Sequence, residues 1–221
     1  MNIAKPAIGP IHARILCMVV LGLAAVEISF RAISWHETCS MLLILAIARF
    51  FEGGIIIGIL FFEKERLSVV GLSKSTALSG LRRGLLWSGA FGGVILLVFI
   101  SLSLMGVDPL PFIQNPLPGN TGGLILLFLV GGVVAPITEE LFFRGILYGF
   151  LRRWGVVPAL VLSSLLFVLA HETVFTAFIL IQLTGGLLFA LAYEMEKNLM
   201  VPITLHVLGN LAIYILSLPN A

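Results

Sequence analysis

Long apolar runs recur along the chain, each closed by a short polar or proline-rich break. Seven are read from the sequence, at residues 13–34, 40–62, 85–105, 121–151, 156–171, 174–193 and 199–218. A run of about 20 apolar residues predicts a membrane-spanning helix, because at about 1.5 Å per residue it matches the hydrocarbon core. A membrane barrel would need short segments of alternating character, and none is seen. The expected fold class is all-α: a polytopic membrane helical bundle of about seven transmembrane helices, forming one membrane domain over residues 1–221.

The breaks carry the topology. Residues 63–84, with Glu63, Lys64, Glu65, Arg66, Lys74, Arg82 and Arg83, read as a cytoplasmic loop with an interfacial helix around Ser75–Gly84. Residues 106–120 hold Pro109, Pro111, Pro116 and Pro118 and no lysine or arginine, so they read as an irregular loop on the opposite side. The fourth run would measure about 45 Å as a helix, too long for one perpendicular span. It must tilt, break near Pro136 or project from the membrane. With seven spans, Lys5 and Arg14, the 63–83 loop, Arg152 with Arg153, and Lys197 all fall on one side. The loops at 35–39, 106–120 and 172–173 fall on the other and lack lysine and arginine. The positive-inside rule then predicts an integral protein of the cell (inner) membrane, N-terminus cytoplasmic and C-terminus opposite. Lys5 and Arg14 flank the first run as in a signal peptide, but the run is long and lacks a small-residue cleavage pattern, so it reads as a retained span.

Composition agrees. Of 221 residues, 59% are hydrophobic and only 11% charged, with a mean hydropathy of +1.13. Soluble domains carry about 25% charge. A net charge of +2, spread over short loops, gives no reason to expect nucleic acid. Cys17 and Cys39 lie more than 20 residues apart along the first run, so no disulfide can join them within a straight helix, and no metal-type cysteine pair exists.

The polar positions inside the runs carry the chemistry. Residues 1–120 offer Glu27 with Arg31 at i,i+4 and Arg49 with Glu52 at i,i+3, which read as structural ion pairs, either within each helix or crossed between the two. Residues 121–221 hold the rest: Glu139, Glu140 and Arg144; Phe167 and His171; His206 and Asn210. On a helix Glu140 and Arg144 are neighbours, whereas Glu139 points about 100° away. One acid is compensated and the other is free. Glu139 lies 16 residues before Gly155 and His171 lies 16 after it, so a helical hairpin sets them at one depth. His206, counted from Lys197, comes out about 10–13 Å deep against about 20–25 Å for His171, a mismatch that tilt or a shifted start near Pro202 could close.

Glutamate can take a proton from water, and histidine and asparagine can donate hydrogen bonds to a developing oxyanion. That set supports peptide hydrolysis without a covalent intermediate, since no serine or cysteine nucleophile accompanies the histidines at an obvious spacing. Zinc is the rival: two glutamates, two histidines and an asparagine could ligate it. The helical zinc motif H-E-x-x-H is not met, because His171-Glu172-Thr173-Val174-Phe175 lacks the second histidine.

Glu139-Glu140-x-x-x-Arg144, Phe167-x-x-x-His171 and His206-x-x-x-Asn210, in that order, resemble the three motifs of the CPBP (Abi) family, which holds the type II CAAX prenyl endopeptidases and bacteriocin-processing or immunity relatives. The resemblance covers about 120–215; Val70-Gly71-Leu72 is similar to a less specific family feature. It implies an all-helical, glutamate-dependent intramembrane protease with no essential metal. In it Glu139 would activate water, His171 would position or polarise that water, and His206 and Asn210 would stabilise the oxyanion. Glu140, Arg144 and Phe167 would support the site. The expected partners are membrane lipids and a hydrophobic or lipid-modified peptide tail. Two other functions fit the residues less well: a non-enzymatic immunity or scaffold membrane protein, which would tolerate loss of Glu139, and a proton-coupled transporter, which would want broken helices in repeated halves.

Overall fold

The computed structural model describes residues 9–34, 41–171 and 178–218. Among them there is no strand, and seven helices follow one another: α1 (Ala13–Ser34), α2 (Met41–Phe62), α3 (Lys74–Leu104), α4 (Thr121–Trp154), α5 (Val156–Leu169), α6 (Phe178–Glu196) and α7 (Met200–Ser217). Six are long and apolar enough to cross a membrane. The exception, α5, has 14 residues and is about 21 Å long. Large apolar side chains face outward, such as Leu86 at 74% and Leu104 at 84% exposure, while Glu140 and Arg144 are fully buried. That inversion of the water-soluble pattern is what lipid demands. The chain is an integral membrane protein of helical-bundle type.

The sequence boundaries of the spans hold within a few residues, with two differences. Residues 75–84 form no separate interfacial helix; they are the first turns of α3, a single helix of 31 residues. No proline interrupts it, and Gly80 and Gly84 let it close on α7 and the turn before it. A Cβ at Gly80 would stand 2.5 Å from Asn198 Oδ1, and one at Gly84 would stand 2.5 Å from Thr204 Cβ. The second is in α4: of the alternatives open for the long fourth run, a break at Pro136 is not taken. The helix widens instead into π-helical turns at Val130–Val134 and Leu141–Tyr148 on either side of Ala135–Glu140. A wider turn accommodates the missing N–H of Pro136 without ending the helix. Cys17 is exposed on α1; Cys39 and the loops expected at 35–39 and 172–173 lie outside the described residues.

α4 is the central element. It packs on α1, α2, α5, α6 and α7 and on the short turn Leu67–Val70. Apart from that hub, α1 pairs with α2, α3 with α7, α5 with α6, and α6 with α7. One end of the bundle is tied by charge. Arg14 bridges Glu63, Arg83 bridges Glu196, and Glu194 accepts from Tyr148 (2.6 Å), Arg152 (3.0 Å) and Lys197 (2.6 Å). These contacts gather the basic positions that the sequence assigns to one face.

The α6–α7 turn is set deep in that end. Lys197 has φ 52°, and Leu199 N–H donates to the carbonyl of Gly71 at 3.1 Å. Gly71 itself has φ 77°, and a Cβ there would sit 3.1 Å from Leu199 N and from Lys197 O. Only glycine fits that corner without strain.

Candidate functional site

The site forms where α4, α5, α6 and α7 meet at mid-height. Glu139 and Glu140 stand at the end of the tight segment Ala135–Glu140, immediately before the wider turns of Leu141–Tyr148. Their side chains diverge as helix geometry requires, and each enters a different environment.

Glu140 is sealed. Its Oε1 accepts from Arg144 Nη1 at 2.7 Å and from His206 Nδ1 at 2.8 Å. Arg144 spends its other terminal nitrogen on the carbonyl of Gly186 at 3.0 Å. Its guanidinium lies between aromatic faces, 4.7 Å from the Phe167 ring centre and 5.3 Å from that of Phe189. A charge out of water needs compensation, and this one has a carboxylate, a carbonyl and two π faces, while Arg144 Nε and Glu140 Oε2 are left without a hydrogen-bond partner. Gly186 also packs tightly on α5, where a Cβ would stand 3.3 Å from Ser164 Cβ.

Glu139 is open by comparison, its side chain 17% exposed. Its Oε2 lies 3.8 Å from His171 Nε2 and 3.8 Å from His206 Nε2. Both separations exceed a hydrogen bond, so three polar atoms converge around a space. The histidine tautomers follow from their other contacts. His171 Nδ1 is 2.7 Å from the Phe167 carbonyl, which only accepts, so Nδ1 carries a hydrogen. His206 Nδ1 faces the Glu140 carboxylate and likewise donates. Each Nε2 is thereby turned toward Glu139. Phe167 organises the cluster: its ring lies 4.5 Å from that of His171, 5.8 Å from that of His206 and 5.1 Å from that of Phe143. Phe189 stacks on His206 at 4.8 Å.

Six of the seven residues singled out in the sequence, Glu139, Glu140, Arg144, Phe167, His171 and His206, therefore meet directly. The seventh, Asn210, sits one turn beyond His206 and donates from Nδ2 to the carbonyl of Gly131 at 2.9 Å, within the first wide turn of α4. Gly131 and Gly132 make room for α7, since Cβ atoms there would stand 2.5 Å from Tyr214 Oη and 2.6 Å from Leu211 Cδ2. The depth mismatch for His206 is resolved by the recessed turn. Glu194 bonds Tyr148, so the α6–α7 turn lies level with Tyr148 and not with Gly155. From Lys197 nine residues lead to His206 and eight lead back from Tyr148 to Glu140, so the two counts are nearly equal.

Sequence reasoning passed over Phe189, Gly131, Gly186 and Thr138. The glycine pairs 131–132 and 185–186, set in the middle of apolar runs, were the available signal for close helix approach. The Arg49 pairing left open in the sequence resolves to both forms: Arg49 bridges Glu52 on its own helix and reaches Glu27 of α1 at 3.0 Å. Among the described residues no group of three or more His, Cys, Asp or Glu is disposed to hold a metal ion.

Comparison with known proteins centres on the same segment. Residues 121–212 match the family model described as type II CAAX prenyl endopeptidase Rce1-like. The chain is 36% identical over 103 residues to the membrane-embedded CAAX protease MroQ of Staphylococcus aureus, covering 43% of this chain and 40% of that protein. It is 28% identical over 151 residues to the putative membrane peptidase YdiL of Bacillus subtilis, covering 67% and 58%. The chain thus spans about half the length of the curated relatives it matches. No solved structure matches it significantly. Residues 121–212, which carry the three ordered motifs that converge on this buried centre, are thus similar to the CPBP family of CAAX-type membrane proteases.

Proposed function

We propose that this protein is an intramembrane endopeptidase that hydrolyses a peptide bond in a membrane-associated or C-terminal tail substrate, using water activated by Glu139. The observation that carries the reading is the convergence of Glu139 Oε2 with two imidazole nitrogens at 3.8 Å each, a gap the size of a water molecule's reach. A water there donates one hydrogen to the Glu139 carboxylate and one to Nε2 of neutral His171. Glu139 takes the first proton as the water oxygen adds to the scissile carbonyl carbon. The C=O π bond becomes an oxyanion. His206, held by the Glu140 carboxylate at Nδ1, donates from Nε2 when protonated, and the second Nδ2 hydrogen of Asn210 is free to join it. Collapse breaks the C–N bond, and the proton on Glu139 passes to the leaving nitrogen, restoring the carboxylate.

The reading is metal-free. Ligands around a tetrahedral zinc stand about 3.3–3.4 Å apart at bonds of about 2.0–2.1 Å, closer than the 3.8 Å separations here. The basic end of the bundle is cytoplasmic in this reading, and the substrate is a hydrophobic or lipid-modified peptide tail reaching the site from the lipid.

The test is cleavage of membrane-tail peptides by purified protein in liposomes, comparing wild type with E139Q, each with and without a strong chelator. Loss of about 100-fold or more in E139Q, with chelator harmless, is expected. Equal cleavage by E139Q sinks the mechanism; loss on chelation, restored by zinc, moves Glu139 and the histidines to metal ligands.

A further inference from the structure

Outside the segment shared with the relatives' family model, one charged cluster lies within the bundle and plays no part in the steps above. Arg49 on α2 bridges Glu52 on the same helix and Glu27 on α1, the latter at 3.0 Å. Glu52 is almost wholly buried, and Arg49 is mostly so. An ion cluster of this kind inside a membrane helix pair is costly, which asks for a role. Its position supplies one. The backbone carbonyl of Arg49 accepts from the hydroxyl of Thr138 at 3.2 Å, and Thr138 is itself buried. Thr138 is the residue before Glu139, on the same tight segment of α4. Gly53, one turn further along α2, also faces Thr138: a Cβ there would make ordinary contact with its Oγ1 at 3.5 Å. The guanidinium also attracts Glu139 through space.

Among the described residues, charged and titratable groups face Glu139 from three other helices as well as its own. His171 faces it from α5, His206 and Tyr214 from α7, and Arg49 from α2; Glu140 and Arg144 lie on its own helix. Arg144 also attracts Glu139 through space but spends its terminal nitrogens on Glu140 and Gly186; Arg49 acts on Glu139 from a separate helix whose backbone holds Thr138.

We infer that Arg49 is a positioning residue for the Glu139 centre: it locks α1 and α2 against the turn of α4 that carries Glu139 and holds a positive charge within electrostatic reach of that carboxylate. The inference rests on Glu139 acting as the base. It predicts that the N-terminal helices, which carry none of the three motifs, tune the reactive acid through one residue.

The test uses the full chain in liposomes, with R49Q, R49K, T138V and T138S beside wild type and E139Q. Cleavage is read as kcat and KM separately, because a displaced base slows turnover without loosening the substrate. R49Q is expected to lose about tenfold in kcat with KM within about twofold, and R49K to recover part of it, keeping the charge but not the fork. T138V, which leaves the ion cluster intact, is expected to lose a few-fold in kcat, and T138S to restore it. Unchanged kcat in both R49Q and T138V overturns the inference, and so does a loss confined to KM. A second readout needs no substrate. A hydrophobic carbodiimide adds to protonated carboxyls, and labelling of Glu139 is identified by mass spectrometry as the adduct absent in E139Q. Several-fold faster labelling in R49Q than in wild type supports the inference even where no peptide is cleaved; equal labelling overturns it. Failure of the wild type to cleave any peptide strikes the proposed function alone.

Discussion

The bundle contains two ionic systems that look alike in sequence and differ in construction. Glu140 with Arg144 lies on one helix, has no exposure at all, and is joined by an imidazole, a carbonyl and aromatic faces. Glu27 with Arg49 and Glu52 joins two helices, and Glu27 keeps 41% of its side chain exposed. The first is a closed box built around a single cation; the second is a brace that reaches the surface. Sequence spacing alone gives both as short-range pairs, and only the neighbours distinguish them. The lesson is that a pair's worth is set by what is left uncompensated when one member goes.

That contrast can be broken most forcefully at Arg144. R144M leaves Glu140 buried with only His206 for company and should cost about 3–5 kcal/mol, read as a lowered unfolding temperature in detergent. Replacing both partners, E140M with R144M, should return most of that stability while cleavage stays lost, because the cost lies in the orphaned charge and the function lies in holding His206. A smaller effect is expected where helices touch through glycine. G131A places a methyl group 2.5 Å from Tyr214 Oη and should cost about 1–3 kcal/mol and slow cleavage by displacing Asn210, with Y214F restoring part of both. E27Q, at the exposed arm of the brace, should change stability by less than about 1 kcal/mol after solvent screening. The weakest case is R83Q at the charged end, where the side chain is 43% exposed and the expected change is at most about 0.5 kcal/mol. A stability loss for E27Q as large as that for R144M would erase the distinction between box and brace.

Much of this arrangement was legible in the residues. The apolar runs marked the helices because lipid leaves few other options for the backbone. The equal counts from Gly155 set Glu139 opposite His171, and i,i+4 spacing set Arg144 on Glu140. What the sequence hid were long-range effects on local rulers. His206 looked shallow because its count began at Lys197, and only the pinning of that turn by Gly71 and Glu194 shows that the start itself is recessed. The continuity of α3 was masked by Lys74, Arg82 and Arg83, charges that belong to a helix extending past the membrane face. The bracing of Glu139 from α2 was unreadable, since a backbone carbonyl at Arg49 leaves no trace in residue identity.

The short fifth helix has a consequence for the surrounding lipid. A span of about 21 Å falls well below the hydrocarbon thickness of about 30 Å. Hydrophobic mismatch of that size is relieved by thinning the bilayer beside the helix. Thinning of that kind beside α5 would draw headgroups and their water toward His171, which follows its last turn. For the hydrolysis proposed here, such thinning would shorten the path of water to Glu139 without a channel through the bundle.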